Sequence, residues 1–329
     1  MTKSIYVYHI GISTLLFIFV ILSAIITAQS YGNQALYDAL SVNGIDPYQS
    51  WESLTIDQQL AMISASSLQT IPPGSEVQTL IQAIIGIIIG IILVYGILHF
   101  LGPLITRLFF TLSIGMLLTM FFTSVGYVTF GANIFHINYI AIIFGASLII
   151  TLIWLVYPEW WIVTTMAVLI AAGGSAFFGS SFSPMSIIIL LVILAIYDYV
   201  AVIKTKFMIN FAKKVISVQL PAAISLPYSR NTSLITDGVN FENVKTKTDR
   251  GFMILGTGDL LFPTMLAVSA TVFSSMMDGF IIGIFIIISY LIMMYVMYFS
   301  DYSSKFQALP GLPFLCSGAI IGYIVTLII

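Results

Sequence analysis

From Ile10 to Ile26 the chain carries no charged side chain, and eight further stretches of similar length are equally or almost as apolar. A helix rises about 1.5 Å per residue, so roughly 20 such residues span the ~30 Å hydrocarbon layer of a bilayer. Helices pair their own backbone groups, which lipid cannot do for them. The runs therefore predict an all-α, polytopic membrane protein with nine transmembrane helices, near 8–28, 78–100, 103–125, 137–157, 160–178, 183–203, 252–275, 279–299 and 311–329. Composition agrees, because 59% hydrophobic and 7% charged residues with a mean hydropathy of +1.07 lie far from water-soluble domains. The first run is too long for a signal-peptide core and lacks a clear cleavage site after it, which predicts a retained span.

The basic residues test this partition, because cytoplasmic loops collect them. Lys3 precedes the first span, Arg107 begins the third, Lys305 lies between the eighth and ninth, and the others lie between Lys204 and Arg250. Nine spans put all eleven on one side. The 29–77 loop has no basic residue but holds Asp38, Asp46, Glu52, Asp57 and Glu76, which suits the opposite side. The expected organisation is one membrane domain: spans one to six in 1–203 with an outer loop at 29–77, a cytoplasmic loop at 204–251, and spans seven to nine in 252–329. The expected location is the plasma membrane, with the amino terminus cytoplasmic and the carboxyl terminus outside. In the outer loop, Thr55 and Gln58 have capping-box spacing and predict a short helix. In the inner loop, FAKKVISVQL reads as an interfacial stretch.

Of thirteen acidic residues, only Asp198 and Asp259 fall within apolar spans. A carboxylate there costs of order 2.5–3.5 kcal/mol on insertion scales, so it faces a protein interior or a wet cavity. Asp198 precedes Lys204 by about 9 Å of helix and Asp259 follows Arg250 by about 13 Å, which puts them at similar depth on consecutive spans. Two carboxyls within hydrogen-bond reach share one proton. One then takes a proton from water while its protonated partner donates to a carbonyl, which is aspartic-protease chemistry and needs no metal. Gly256 and Gly258 remove bulk on the approach to Asp259. Two other readings remain open on this pattern alone: buried polar residues that tie helices together, and a proton-coupled transporter or cation channel that uses the same acids.

Other chemistries find little support. His9, His99 and His136 are isolated, without a zinc-protease pattern. Cys316 is the only cysteine. Phosphate-binding and dinucleotide fingerprints are absent. The expectation is therefore no metal and no cofactor, and the basic inner loop is a topological signal and lipid contact rather than a nucleic-acid surface.

Tyr197-Asp198 in one span, Gly256-x-Gly258-Asp259 in the next and Ala308-Leu309-Pro310 leading into the last resemble, in that order, the presenilin and signal peptide peptidase family of intramembrane aspartyl proteases. The resemblance implies that Asp198 and Asp259 are the catalytic pair and that Ala308, Leu309 and Pro310 shape the site. Tyr197, Gly256, Thr257, Gly258 and Leu260 flank the acids in these motifs and complete the expected site. The family pattern is Pro-Ala-Leu, often followed by another Pro, whereas Gln307 occupies the first place here. The inside amino terminus looks like presenilin orientation and implies substrates in the type I sense. The compact loops look like a microbial homologue that works without cofactors or obligatory partners, on transmembrane-helix peptides in the bilayer, alone or self-associated as a homo-oligomer. Segments flanking the acids, in the inner loop or near Ala308-Leu309-Pro310, are expected to hold the unwound substrate as an added strand.

Overall fold

The computed structural model describes residues 3–42, 103–130, 137–201, 223–227, 252–299 and 310–329, with a few isolated positions between 81 and 96. Most of the expected second span, the helix expected after Thr55, and most of the 204–251 loop lie outside the described residues. The elements are α1 (Lys3–Val42), α2 (Pro103–Phe130), α3 (Ile137–Val156), α4 (Trp160–Ser181), α5 (Pro184–Val200), β1 (Ala223–Pro227), β2 (Phe252–Gly256), α6 (Thr257–Phe273), α7 (Met276–Phe299) and α8 (Leu312–Thr326). Among the described residues, α1, α2, α4 and α7 are long and apolar enough to cross a membrane, while α5, α6, α8 and the Ala141–Val156 stretch of α3 are apolar but shorter.

Helix starts follow local chemistry. The Ser183 hydroxyl accepts from the Ser186 N–H, and Pro184 occupies the first turn of α5 where no intrahelical donor is needed. The Glu159 side chain accepts from the Trp160 N–H at the start of α4. Two expectations change. Helix α1 continues to Val42, well past the apolar run that ends near Ala28. The segment expected as one span over 252–275 divides, because 252–256 is a strand and the helix begins only at Thr257.

Helix α6 is the hub, in contact with α1, α4, α5, α7 and α8. Small residues on α4 let it approach: a Cβ at Gly179 would stand 2.7 Å from both the Met265 carbonyl oxygen and the Val268 side chain. On α8, a Cβ at Gly318 would stand 2.9 Å from the Phe285 carbonyl oxygen of α7. Hydrogen bonds join elements where apolar packing alone gives little orientation in lipid. Ser269 donates to the Phe182 carbonyl at 2.6 Å and Ser289 to the Phe314 carbonyl at 2.5 Å. Outward side chains such as Leu112, Ile142 and Met277 are exposed and apolar, as a lipid-facing surface requires.

Strands β1 and β2 pair antiparallel, with Ser225 opposite Ile254 and Ala223 opposite Gly256. The sheet docks on α4 through β1. There the Thr164 hydroxyl donates to the Ser225 carbonyl at 3.1 Å and accepts from the Ser225 N–H at 3.2 Å. The last turn of α5, the first turns of α4, α6 and α8, and this sheet thus gather at one end of the bundle.

Candidate active site

Asp198 lies in the last turn of α5 and is buried. Its Oδ2 accepts from the Leu312 N–H at 3.3 Å, and the neighbouring Gly311 N–H also acts on it electrostatically. These donors belong to the start of α8, where a helix leaves its first N–H groups without intrahelical partners. A carboxylate satisfies them and is stabilised by the positive end of the helix dipole.

Asp259 is the third residue of α6 and is half-buried. Its carboxyl turns back to the Gly256 N–H, the residue that caps the same helix. This is one half of a capping box, again with negative charge at a helix start. Four residues on, Pro263 lies inside the helix and has no N–H to close a turn onto the Asp259 carbonyl.

The two acids meet at Gly311. The N–H of Leu312, next along the chain, donates to Asp198, while a Cβ on Gly311 would stand 3.0 Å from Oδ2 of Asp259. The carboxyl groups lie close enough for their charges to act on each other. Two helix N-termini therefore converge on a pair of carboxyls, and each supplies N–H donors to one of them. Such a pair can hold a single proton between its members.

A family model described as "Signal-peptide peptidase, presenilin aspartyl protease" matches residues 54–329. The chain belongs to this family. Two solved structures support the same fold for this presenilin-family chain, both described as a presenilin family intramembrane aspartate protease. The one in the C222 space group has a TM-score of 0.53 at 21% identity, covering 95% of this chain and 94% of the other. The one in the P2 space group has a TM-score of 0.57 at 21% identity, covering 96% of each. Among curated proteins none matches the sequence.

Within this family member the other expected site residues are distributed unevenly. Gly256, Thr257 and Gly258 are half-buried beside Asp259, and Leu260 is fully buried in the core behind it. Tyr197 is exposed, next to Asp198 along α5. Ala308 and Leu309 lie outside the described residues. Pro310 is buried and immediately precedes Gly311. Besides the expected Gly256, the residues that touch the acids are Gly311 and Leu312, which the sequence reading did not single out. The signal was present: the family pattern Pro-Ala-Leu-Pro, read from Pro310 rather than from Gln307, fits Pro310-Gly311-Leu312-Pro313 with glycine in place of alanine. Two further neighbours were missed. The Cys316 thiol of α8 lies within electrostatic range of both acids, and the Tyr290 hydroxyl of α7 within range of Asp259. Among the described residues no His, Cys, Asp and Glu cluster is arranged to hold a metal ion.

Proposed function

We propose that the chain is an intramembrane aspartyl endopeptidase that hydrolyses peptide bonds of transmembrane-helix substrates, with Asp198 and Asp259 as catalytic residues. The observation that carries the reading is the approach of both carboxyls to the start of α8, Asp198 accepting from the Leu312 N–H and Asp259 lying against Gly311. The ionised carboxyl takes a proton from water as the oxygen attacks the scissile carbonyl carbon, and its protonated partner donates to the carbonyl oxygen. When the resulting tetrahedral centre collapses, the C–N bond breaks, the leaving nitrogen receives the proton first taken from water, and the carboxyl that protonated the carbonyl oxygen takes its proton back as the product acid forms. No metal or cofactor enters this sequence.

A helical substrate must unwind before its carbonyls are open to attack, and β2 is suited to hold it. In an antiparallel pair each residue directs its N–H and C=O to the same side. Ser225 spends both on Thr164, so Ser225 and Ile254 form a non-hydrogen-bonded pair. Ile254 then turns its own N–H and C=O to the outer edge of β2, with Phe252 and Gly256 in the same phase. Pro227 fits this phase, because its missing N–H falls on the side away from the ladder. An extended substrate added along that edge ends near Gly256, three residues before Asp259.

The bundle has nine spans in this proposal, lies in the plasma membrane, and has a cytoplasmic amino terminus and an external carboxyl terminus. The 204–251 loop leaves α5 at the end of the bundle that holds the acids, and its eight basic residues assign that end to the cytoplasmic side. The proteolytic reading is tested with purified protein and a transmembrane peptide. Native protein releases two fragments, and Asp198→Ala and Asp259→Ala release none. Retained cleavage in either variant, or proton or cation flux in liposomes without fragments, would defeat it.

A further inference from the structure

We infer that Thr164 is a positioning residue for cleavage: it occupies the outer edge of β1 at Ser225 as a neighbouring strand would, and so leaves β2, of the two described strands, as the edge that can register a substrate. The inference rests on the proteolytic reading above. Thr164 lies on α4, and its side chain is not among those that approach the acids. Nothing in the Asp-bearing motifs points to it.

The contact is built to do this. Thr164 and Ser225 are both buried, at 6% and 4% exposure, so water does not replace either hydrogen bond. One hydroxyl oxygen serves the Ser225 carbonyl as donor and the Ser225 N–H as acceptor, at 3.1 and 3.2 Å. That is the exchange a paired strand residue makes, carried out by one atom. Elsewhere on the described membrane helices, serine and threonine hydroxyls commonly fold back onto the carbonyl four residues earlier, as Thr165 does onto Trp161 and Thr271 onto Ala267. Thr164 instead reaches 61 residues along the chain.

Two consequences follow from strand geometry. An edge whose central residue is already paired with a helix is blocked at its middle, which disfavours addition of an unwound helix to β1. With Ser225 fixed against a helix, β1 also cannot slide along α4, so the sheet holds the outer edge of β2 in one orientation and a substrate strand added there is kept in register. A slip of two residues would preserve which side chains face inward but would carry a different peptide bond to the acids. Thr164 thereby governs which bond is cut and how tightly the extended substrate is held, while the acids govern the chemical step.

The experiment uses the full chain in detergent and in liposomes with a defined transmembrane peptide, and reads KM, kcat and fragment masses. Thr164→Val keeps shape and removes the hydroxyl. It is expected to raise KM about tenfold, the scale of one or two lost hydrogen bonds, to leave kcat within about twofold, and to add fragments displaced by two residues. Thr164→Ser restores both bonds and returns the native KM and fragment pattern. Ser225→Pro removes the N–H partner from the strand side, and it is expected to reproduce the mixed fragments if Thr164→Val proves too unstable to assay. A folded Thr164→Val or Ser225→Pro protein that cuts the native bond alone, with unchanged KM, overturns the inference and leaves the protease standing. A native chain that cuts nothing overturns both.

Discussion

Gly311 has one carboxyl on each side of its backbone, and this makes it the most size-sensitive position near the acids. A Cβ there would stand 3.0 Å from Oδ2 and 3.2 Å from Cγ of Asp259, closer than ordinary contact. Asp259 cannot yield freely, because its carboxyl is also held by the Gly256 N–H at the start of its own helix. Gly311→Val is therefore expected to lower kcat on the order of 10²-fold, the scale of a misplacement near 1 Å. Initial rates on a transmembrane peptide check this in protein shown to be folded by its thermal midpoint; an unchanged kcat would remove Gly311 from between the carboxyls. Asp198 and Asp259 were legible in the sequence because charge inside an apolar run is costly wherever the run folds. Gly311 and Leu312 were not, since a backbone N–H leaves no mark in composition, and only its direction makes it a partner.

Helix α6 carries Asp259, and its position is set by the helices around it. Against α4 the approach is so close that a Cβ at Gly179 would overlap the backbone at Met265 and the Val268 side chain. Gly179→Val is expected to destabilise the protein by about 1–3 kcal/mol through overpacking. Thermal unfolding in detergent reads the loss, and a midpoint equal to the native one would show that α4 and α6 are not in contact there. Asp259 also lies at a different depth from the one a helical rise over residues 250–259 implies, because 252–256 is extended and advances about 3.3 Å per residue. The acids still meet because a strand delivers the chain to the end of α6, and Asp259 lies in the first turn rather than inside a continuous span. FMILG is apolar enough to read as more helix; its pairing with AISLP, from the far side of the 204–251 loop, decides otherwise.

At the scale of the whole molecule, the acids, the sheet and the starts of α4, α6 and α8 share one end of the bundle. The proposed orientation makes that the cytoplasmic end, so a tag before Lys3 is expected to be digested by protease added to the cytoplasmic face and a tag after Ile329 by protease added outside. Digestion of both tags from one face would break the nine-span count, and a reversed result would invert the substrate sense. Apolar runs and their basic flanks were enough to make the chain a helical membrane protein, because transfer of side chains into lipid is a local, nearly additive free energy. Two intramembrane acids stood out as the candidate site for the same reason. The sheet, the clasp of Thr164 on Ser225 and the meeting of both carboxyls at Gly311 join residues tens to more than a hundred positions apart. Tertiary structure alone decided them, because hydrogen bonds to backbone groups far along the chain depend on where packed helices bring that backbone and not on the identity of the residues that carry it.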